Sequence, residues 1–479
     1  MPSSGPAAKV LITSITVENF KSIQRLDLKL KPGLNVLVGP NGSGKSNILE
    51  ALYFLRKALV DEVNKAPYMP HVPDYWSPLD LLYNRDPAAR LTYRIKMLYR
   101  YRSRRGVHET PLELRVVFAV TRGISSIEPV EIALSYGDSD TVTVFRPEEV
   151  EVHIRSSLAD MLLERLRKRE LFVPTFLKEK LEAELRKALR ESREYAILKT
   201  PSAYAPLDII RLSRVRGAWA EFHEVRGERD VVLGVMLSPL LVPVAYRVKA
   251  VSSEEFKGYP LSAGIKFKLS LSTVLGVLSG MILLKHPDVG RLREPQPLRE
   301  TSRLDTRASN LAAVLYAITG RRGGLPERFT HALSRLFPGT RLRFETLYGR
   351  VALYVEEDGL ELPPPNIPDG LFKLLSILAA VELGPSLLLI DEIENSMHRS
   401  MIEYVVDTLD SLEVPVLVAT HSPIVVDLAG PEKTLVTVKE PGKGTAVEAF
   451  SSPRELLRRL DELGVAFSDY IFHKTSIKT

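Results

Sequence analysis

Residues Leu34–Leu52 read LNVLVGPNGSGKSNILEAL, and this stretch decides the fold. An apolar run suited to a buried strand ends in a glycine-rich turn, followed by a lysine, a serine and an amphipathic helical pattern. Gly39-Pro40-Asn41-Gly42-Ser43-Gly44-Lys45-Ser46 fits the spacing G-x-x-x-x-G-K-[ST] in the strand–loop–helix context the motif requires. Gly42 and Gly44 take backbone angles that turn successive N–H groups inward, making an anion nest at a helix N-terminus. Lys45 adds a point charge for the β- and γ-phosphates of a nucleotide, and the Ser46 hydroxyl is a ligand for Mg²⁺. Pro40, Asn41, Ser43 and Asn47 complete the expected nucleotide-binding set.

A phosphate loop of this kind needs an acidic partner for its metal. LLLIDEIENSMH, Leu387–His398, supplies one. Four apolar residues bury a strand whose carboxyl end presents Asp391, expected to hold Mg²⁺ through water. Glu392, the next residue, is expected to polarise the attacking water as general base. A third strand, VPVLVAT, ends in His421-Ser422-Pro423. An imidazole at the edge of a neighbouring parallel strand reaches a γ-phosphate, so His421 joins Lys45 and Glu392 as a catalytic candidate.

The composition is that of an ordinary globular protein, with 45% hydrophobic and 26% charged residues and a net charge of +6. The absence of cysteine excludes disulfides, thiol catalysis and cysteine metal sites. MPSSGPAA at the N-terminus has neither a basic nor an apolar signal region. The apolar run Leu269–Leu284 is shorter than the ~20 residues of a membrane span and is interrupted by serines. It reads as a buried helix, with Ser272, Gly276 and Gly280 forming a face open to close backbone approach. The expectation is a cytoplasmic protein without a membrane partner. Two glutamines against 33 prolines point to a thermophilic source.

Along the chain, alternating strands lead into Leu34–Val38. Leu91–Val120 reads as a β-hairpin, and helical patterns occupy residues 156–193, with Leu177, Leu181, Leu185 and Leu189 on one face. Strands return near Thr340. A helix at Leu371–Leu383 then precedes the apolar strand Leu387–Ile390. Apolar strands separated by helices predict an α/β fold with a mainly parallel, doubly covered sheet.

ITSITVENFKSI, the phosphate loop, LDTRASNLAAVL, LLLIDEIENSMH and VLVATHSP together resemble the AAA family ATPases of the RecF/OLD/SMC-like branch of the ABC class. The resemblance covers about residues 9–55 and 300–430. It implies a P-loop NTPase with an ABC-type two-lobed head, an antiparallel β subdomain and a helical insertion. The implied segments are 1–150 (first lobe with the phosphate loop), 151–300 (mostly helical insertion), 301–440 (second lobe) and a tail, 441–479. It further implies ATP and Mg²⁺ as cofactors, and a homodimer or higher homo-oligomer in which each head offers a signature helix to its neighbour's ATP. By position that signature is NIPDGLFKLL, with Asp369 and Gly370 binding nucleotide across the dimer. Pro368 replaces the family's serine, and no glutamine between Ser46 and Gln296 serves as a lobe-coupling residue. Ser396 and His398 fall at the dimer-facing loop.

YRIKMLYRYRSRRG, Tyr93–Gly106, interleaves basic residues with tyrosines. That composition suits phosphate contact with base stacking, and equally a hairpin with one solvated charged face. No nuclease motif is visible, so any nuclease or effector is expected to be a separate protein. The function expected is ATP hydrolysis driving head association on DNA or a DNA-processing partner. An ABC-type energy module for a non-DNA partner, such as a transporter, is the alternative.

Overall fold

The computed structural model describes residues 9–61, 77–103, 106–121, 126–137, 141–147, 149–168, 175–192, 194–201, 220–225, 228–236, 243–249, 270–298, 303–440, 442 and 444–477. The chain forms two compact units: residues 1–19 with 55–279, and residues 20–54 with 280–479.

The second unit carries the motifs. Its central strand, Gly33–Val38, is buried at all six positions. Pro415–Thr420 pairs with it in parallel on one side and Thr434–Glu440 on the other. Beyond Pro415–Thr420 come Leu387–Asp391 and then Met281–Leu284, both parallel. A parallel sheet of this kind is apolar on both faces because helices cover both. Alternate residues (Leu34, Val36, Leu388, Ile390, Val416, Val418) enter one core with the helices Leu311–Arg322, Asp369–Glu382 and Arg399–Asp410. Val38, Val436 and Val438 pack instead with Leu460, Phe467 and Ile471 of the C-terminal helices. Thr434–Glu440 turns back antiparallel into Gly444–Ala449, and Thr340–Leu347, Arg350–Glu357 and Leu360–Leu362 form a separate antiparallel sheet.

The first unit is the antiparallel subdomain. Lys9–Phe20, Leu91–Ser103, Gly106–Thr121, Ser126–Tyr136, Thr141–Phe145, Glu149–Arg155 and Tyr195–Pro201 pair in succession. The expected helices form at Ser156–Arg167 and Thr175–Glu191, with Leu185 and Ala188 buried; the side chains of Leu177 and Leu181 lie outside the described residues. Strands flank them, and Ala220–Val225, Glu228–Met236 and Pro243–Lys249 make a further antiparallel sheet. Residues 151–300 therefore hold both helices and strands.

The apolar run 269–284 is not one helix. Its helix spans Ser270–Ser279; Gly280 then accepts a 2.9 Å bond from the Ser386 amide, and Met281–Leu284 continues as a strand against Leu387–Ile390. Hydrophobic pattern alone does not separate a buried helix from a buried strand; the parallel partner decides. Gly276 is exposed with open space beside it, while Gly280 makes a close approach to Ser386; the side chain of Ser272 lies outside the described residues. No helix among the described residues is long and apolar enough to cross a membrane.

Asn35 stands out as a buried amide inside the central strand, 3% exposed. Its Oδ1 accepts from the Lys31 amide at 3.0 Å, and its Nδ2 donates to the carbonyls of Lys31, Gly33 and Val416. Asn35→Ala should cost about 2–4 kcal/mol, because it orphans several buried polar groups at once. Thermal melting should fall by several degrees; an unchanged midpoint would show that these groups find other partners.

Candidate functional site

Close packing explains the glycines of the loop. A Cβ at Gly39 would lie 2.2 Å from the Thr437 carbonyl oxygen, and one at Gly44 would lie 2.1 Å from Thr445 Oγ1. Gly42 and Gly44 also have φ of +77° and +102°, the left-handed region that favours glycine. A relay of hydrogen bonds fixes this approach. Asn47 Nδ2 donates to Ser22 Oγ, which lies 2.8 Å from Thr445 Oγ1, and Thr445 Oγ1 donates to the Ser43 carbonyl. Asn47 thus steadies the loop through Ser22.

Lys45 is 7% exposed, and its ammonium donates to the carbonyls of Gly39 (2.8 Å) and Pro40 (3.1 Å). Burial lowers its pKa to about 8, against the opposing pull of Asp391, Glu394 and Glu392. Ser46 and Asp391 line the same cavity, where the Ser46 hydroxyl offsets part of the rise in the Asp391 pKa. Burial raises the Asp391 pKa and the Glu392 charge adds to it, with Lys285 pulling the other way; among the described residues no cation pairs with this carboxylate within 4 Å. Glu50, one turn into the helix Lys45–Arg56, accepts from both Lys21 and Lys285.

Glu392 is exposed and has φ of +49°, an uncommon backbone for a residue with a side chain. Its Oε2 accepts from Asn395 Nδ2 at 2.6 Å. His421 has its pKa lowered by burial and then by the Lys45 charge, which favours the neutral imidazole.

Sequence reasoning missed Glu394. Its carboxylate accepts from Thr420 Oγ1 (2.7 Å) and from the His421 amide (2.6 Å), tying the acidic loop to the histidine strand. Its only signal was a third acid in DEIEN. Lys373 was missed as well: it is 2% exposed inside the helix Asp369–Glu382, and the signal was a lone charge in LFKLLSILAAV.

Asn41, Gly42, Gly44, Lys45, Ser46, Asn47, Asp391, Glu392 and His421 line one cavity of about 210 Å³. Asp369 and Gly370 do not line it. The signature helix starts at Asp369 with Pro368 as its N-cap. Asp369 is exposed and accepts from Arg293 at 2.9 Å, and a Cβ at Gly370 would lie 2.5 Å from the Ser396 carbonyl oxygen of the same subunit. Ser396 and His398 are exposed. A larger hollow of about 900 Å³ between other helices carries no motif residue, and its Arg322 and Arg328 both bind Glu382.

The basic hairpin forms as expected, but its described cations face glutamates across the pair. Arg100 meets Glu109 at 2.7 Å, while Arg94 and Lys96 both meet Glu113. Arg104 and Arg105 lie outside the described residues, as does the side chain of Arg102.

Residues 34–427 match the family described as "AAA domain, putative AbiEii toxin, Type IV TA system". The chain belongs to this family. The AAA domain of that description fits the phosphate loop and the acidic strand end of this chain. The DNA replication and repair protein RecF of Erwinia tasmaniensis is 52% identical over 44 residues, 9% of this chain and 12% of that protein. RecF of Roseiflexus castenholzii is 48% identical over 44 residues, 9% of this chain and 11% of that protein. The chain thus matches only about an eighth of the length of these relatives. An SMC head bound to the C-winged helix domain of ScpA aligns with a TM-score of 0.41 at 13% identity, covering 93% of this chain and 99% of that one. The SMC head domain from Thermotoga maritima aligns at 0.36 and 12% identity, covering 92% of this chain and 99% of that one.

The burial of Lys45 has a consequence for pH. The folded protein releases this proton near pH 8, the unfolded chain near 10.5. Between those values the unfolded chain binds more protons, so stability rises with pH. Wild type should therefore gain stability relative to Lys45→Met as pH goes from below 8 to 10, measured by denaturant unfolding. A difference that stays flat across that window would contradict the desolvated ammonium.

Proposed function

We propose that this AAA-domain protein binds ATP with Mg²⁺ and hydrolyses it, acting in DNA-related processes as one head of a homodimer or higher homo-oligomer. The observation that carries the reading is the single cavity on which the buried Lys45 loop brings Ser46, Asp391, Glu392 and His421 together.

The residues fit the metal. A hydroxyl and a half-buried carboxylate on one cavity are hard oxygen donors of the kind Mg²⁺ takes. When bound there, Mg²⁺ would neutralise charge on the β- and γ-phosphate oxygens. Lys45 would exchange its two carbonyl acceptors for phosphate oxygens while the loop amides hold the remainder. Glu392 would orient and deprotonate the attacking water. His421, neutral and held by Glu394, would contact the transferred phosphoryl group.

Support for the DNA role comes from the RecF relatives, described as DNA replication and repair proteins, and from the net positive charge. The glutamate-paired hairpin gives that role no added weight. Association would use the exposed end of the signature helix at Pro368 and Asp369, with a separate nuclease or effector protein as the further partner.

Lys45→Ala should abolish ATP binding and phosphate release; wild-type turnover in a clean preparation of this variant would remove the assignment. Glu392→Gln should keep ATP binding and lose ~10²-fold or more in turnover, the scale of a missing general base. It should also accumulate the ATP-bound assembly in light scattering.

Glu394→Ala should leave ATP binding within about 3-fold and slow turnover by ~10-fold or more, because the freed His421 strand end loses its alignment. Unchanged turnover would mean that His421 is positioned without it.

A further inference from the structure

Lys373 takes no part in the chemistry described so far, and its placement is unusual. It lies three residues past Gly370 on the signature helix, among Leu371, Phe372, Leu374 and Leu375, all buried. The other polar side chain in that stretch, Ser376, satisfies itself on the Phe372 carbonyl. A lysine in such a position gives up its hydration, and burial lowers its pKa to about 8 in spite of Glu394, Asp391 and Glu392 nearby. It makes no carboxylate ion pair within 4 Å among the described residues. Its hydrogen bond runs from Nζ to the main-chain carbonyl of Glu392 at 3.3 Å.

That carbonyl belongs to the residue with the left-handed backbone. It also accepts from the Asn395 amide at 3.3 Å, while the Asn395 side chain holds the Glu392 carboxylate. Two donors thus fix the Glu392 peptide, and a third fixes its side chain. Strained backbone persists where its surroundings over-determine it. The Lys373 bond is the one of the three that comes from outside the loop. The same helix meets this loop again at Gly370, which packs directly on the Ser396 carbonyl.

We propose that Lys373 is a positioning residue that pins the Glu392 carbonyl from the signature helix, so that the helix carrying Asp369 sets where the Glu392 carboxylate points. The inference rests on the ATPase reading above. It gives the helix a role within its own subunit: a neighbour engaging the exposed Pro368–Asp369 end acts on Glu392 through a rigid helix anchored at Gly370 and Lys373.

The test compares wild type with Lys373→Met, an apolar replacement of similar length. An unpaired buried ammonium carries a desolvation cost that an apolar side chain does not. The variant should therefore melt no lower than wild type and bind ATP within about 3-fold, while turnover falls by about 10-fold or more. Amide exchange at Asn395, read on the nucleotide-free protein, should become faster. The chain has no cysteine, so Lys373→Cys, aminoethylated while unfolded and then refolded, rebuilds an ammonium at this one position and should recover turnover. Turnover of Lys373→Met equal to wild type overturns the inference alone. So does a loss of turnover matched by an equal loss of ATP affinity or melting temperature, which marks a structural role. A wild-type protein that binds ATP but hydrolyses none overturns the ATPase reading, and the inference with it.

Discussion

The site depends on a close approach of bare backbone. The loop after the central strand lies directly against Thr437 and Thr445, at distances that leave no room for a Cβ at Gly39 or Gly44. This packing lets the loop curl around an anion, and it buries Lys45 in the curl. An ammonium so placed keeps less of its charge than a solvated one, yet faces any bound phosphate in a medium of low polarisability. The threonine–serine–asparagine relay holds the loop in that shape before any ligand arrives.

Around the loop the charges are arranged for a metal–anion pair. Asp391, Glu392 and Glu394 bring three carboxylates, against the buried ammoniums of Lys45 and Lys373. In the proposed reading, a polyphosphate meets this excess of negative charge together with a cation. The half-buried Asp391, on the same cavity as Ser46, makes no ion pair within 4 Å among the described residues. The acidic loop is in turn braced from both sides, by Glu394 to the histidine strand and by Lys373 to the signature helix. The groups proposed to act on phosphate and water therefore cannot move independently.

Much of this was legible in the sequence, because the relevant physics is local. A buried strand, a glycine turn and a helix start within twenty residues define an anion nest, and an apolar strand ending in two acids defines its partner. Period-two alternation located the antiparallel hairpins, and helical patterning located the helix that spans Asp369–Glu382.

Tertiary structure alone decided what depends on partners distant in the chain. The apolar run 269–284 divides at Gly280 because Met281–Leu284 finds a parallel strand a hundred residues later, which composition does not reveal. The described cations of the basic stripe face glutamates because the register sets Arg100 opposite Glu109 and Lys96 opposite Glu113. Glu394 and Lys373 acquire roles only when the fold brings Thr420, His421 and the Glu392 carbonyl to them. The sequence by itself determined where the glycine turn, its lysine and the strand-end acids lie, since backbone conformation and strand ends follow from neighbouring residues. Which groups hold those in place was left to the tertiary structure, because a buried hydrogen bond is specified by both of its partners, and these lie apart in the chain.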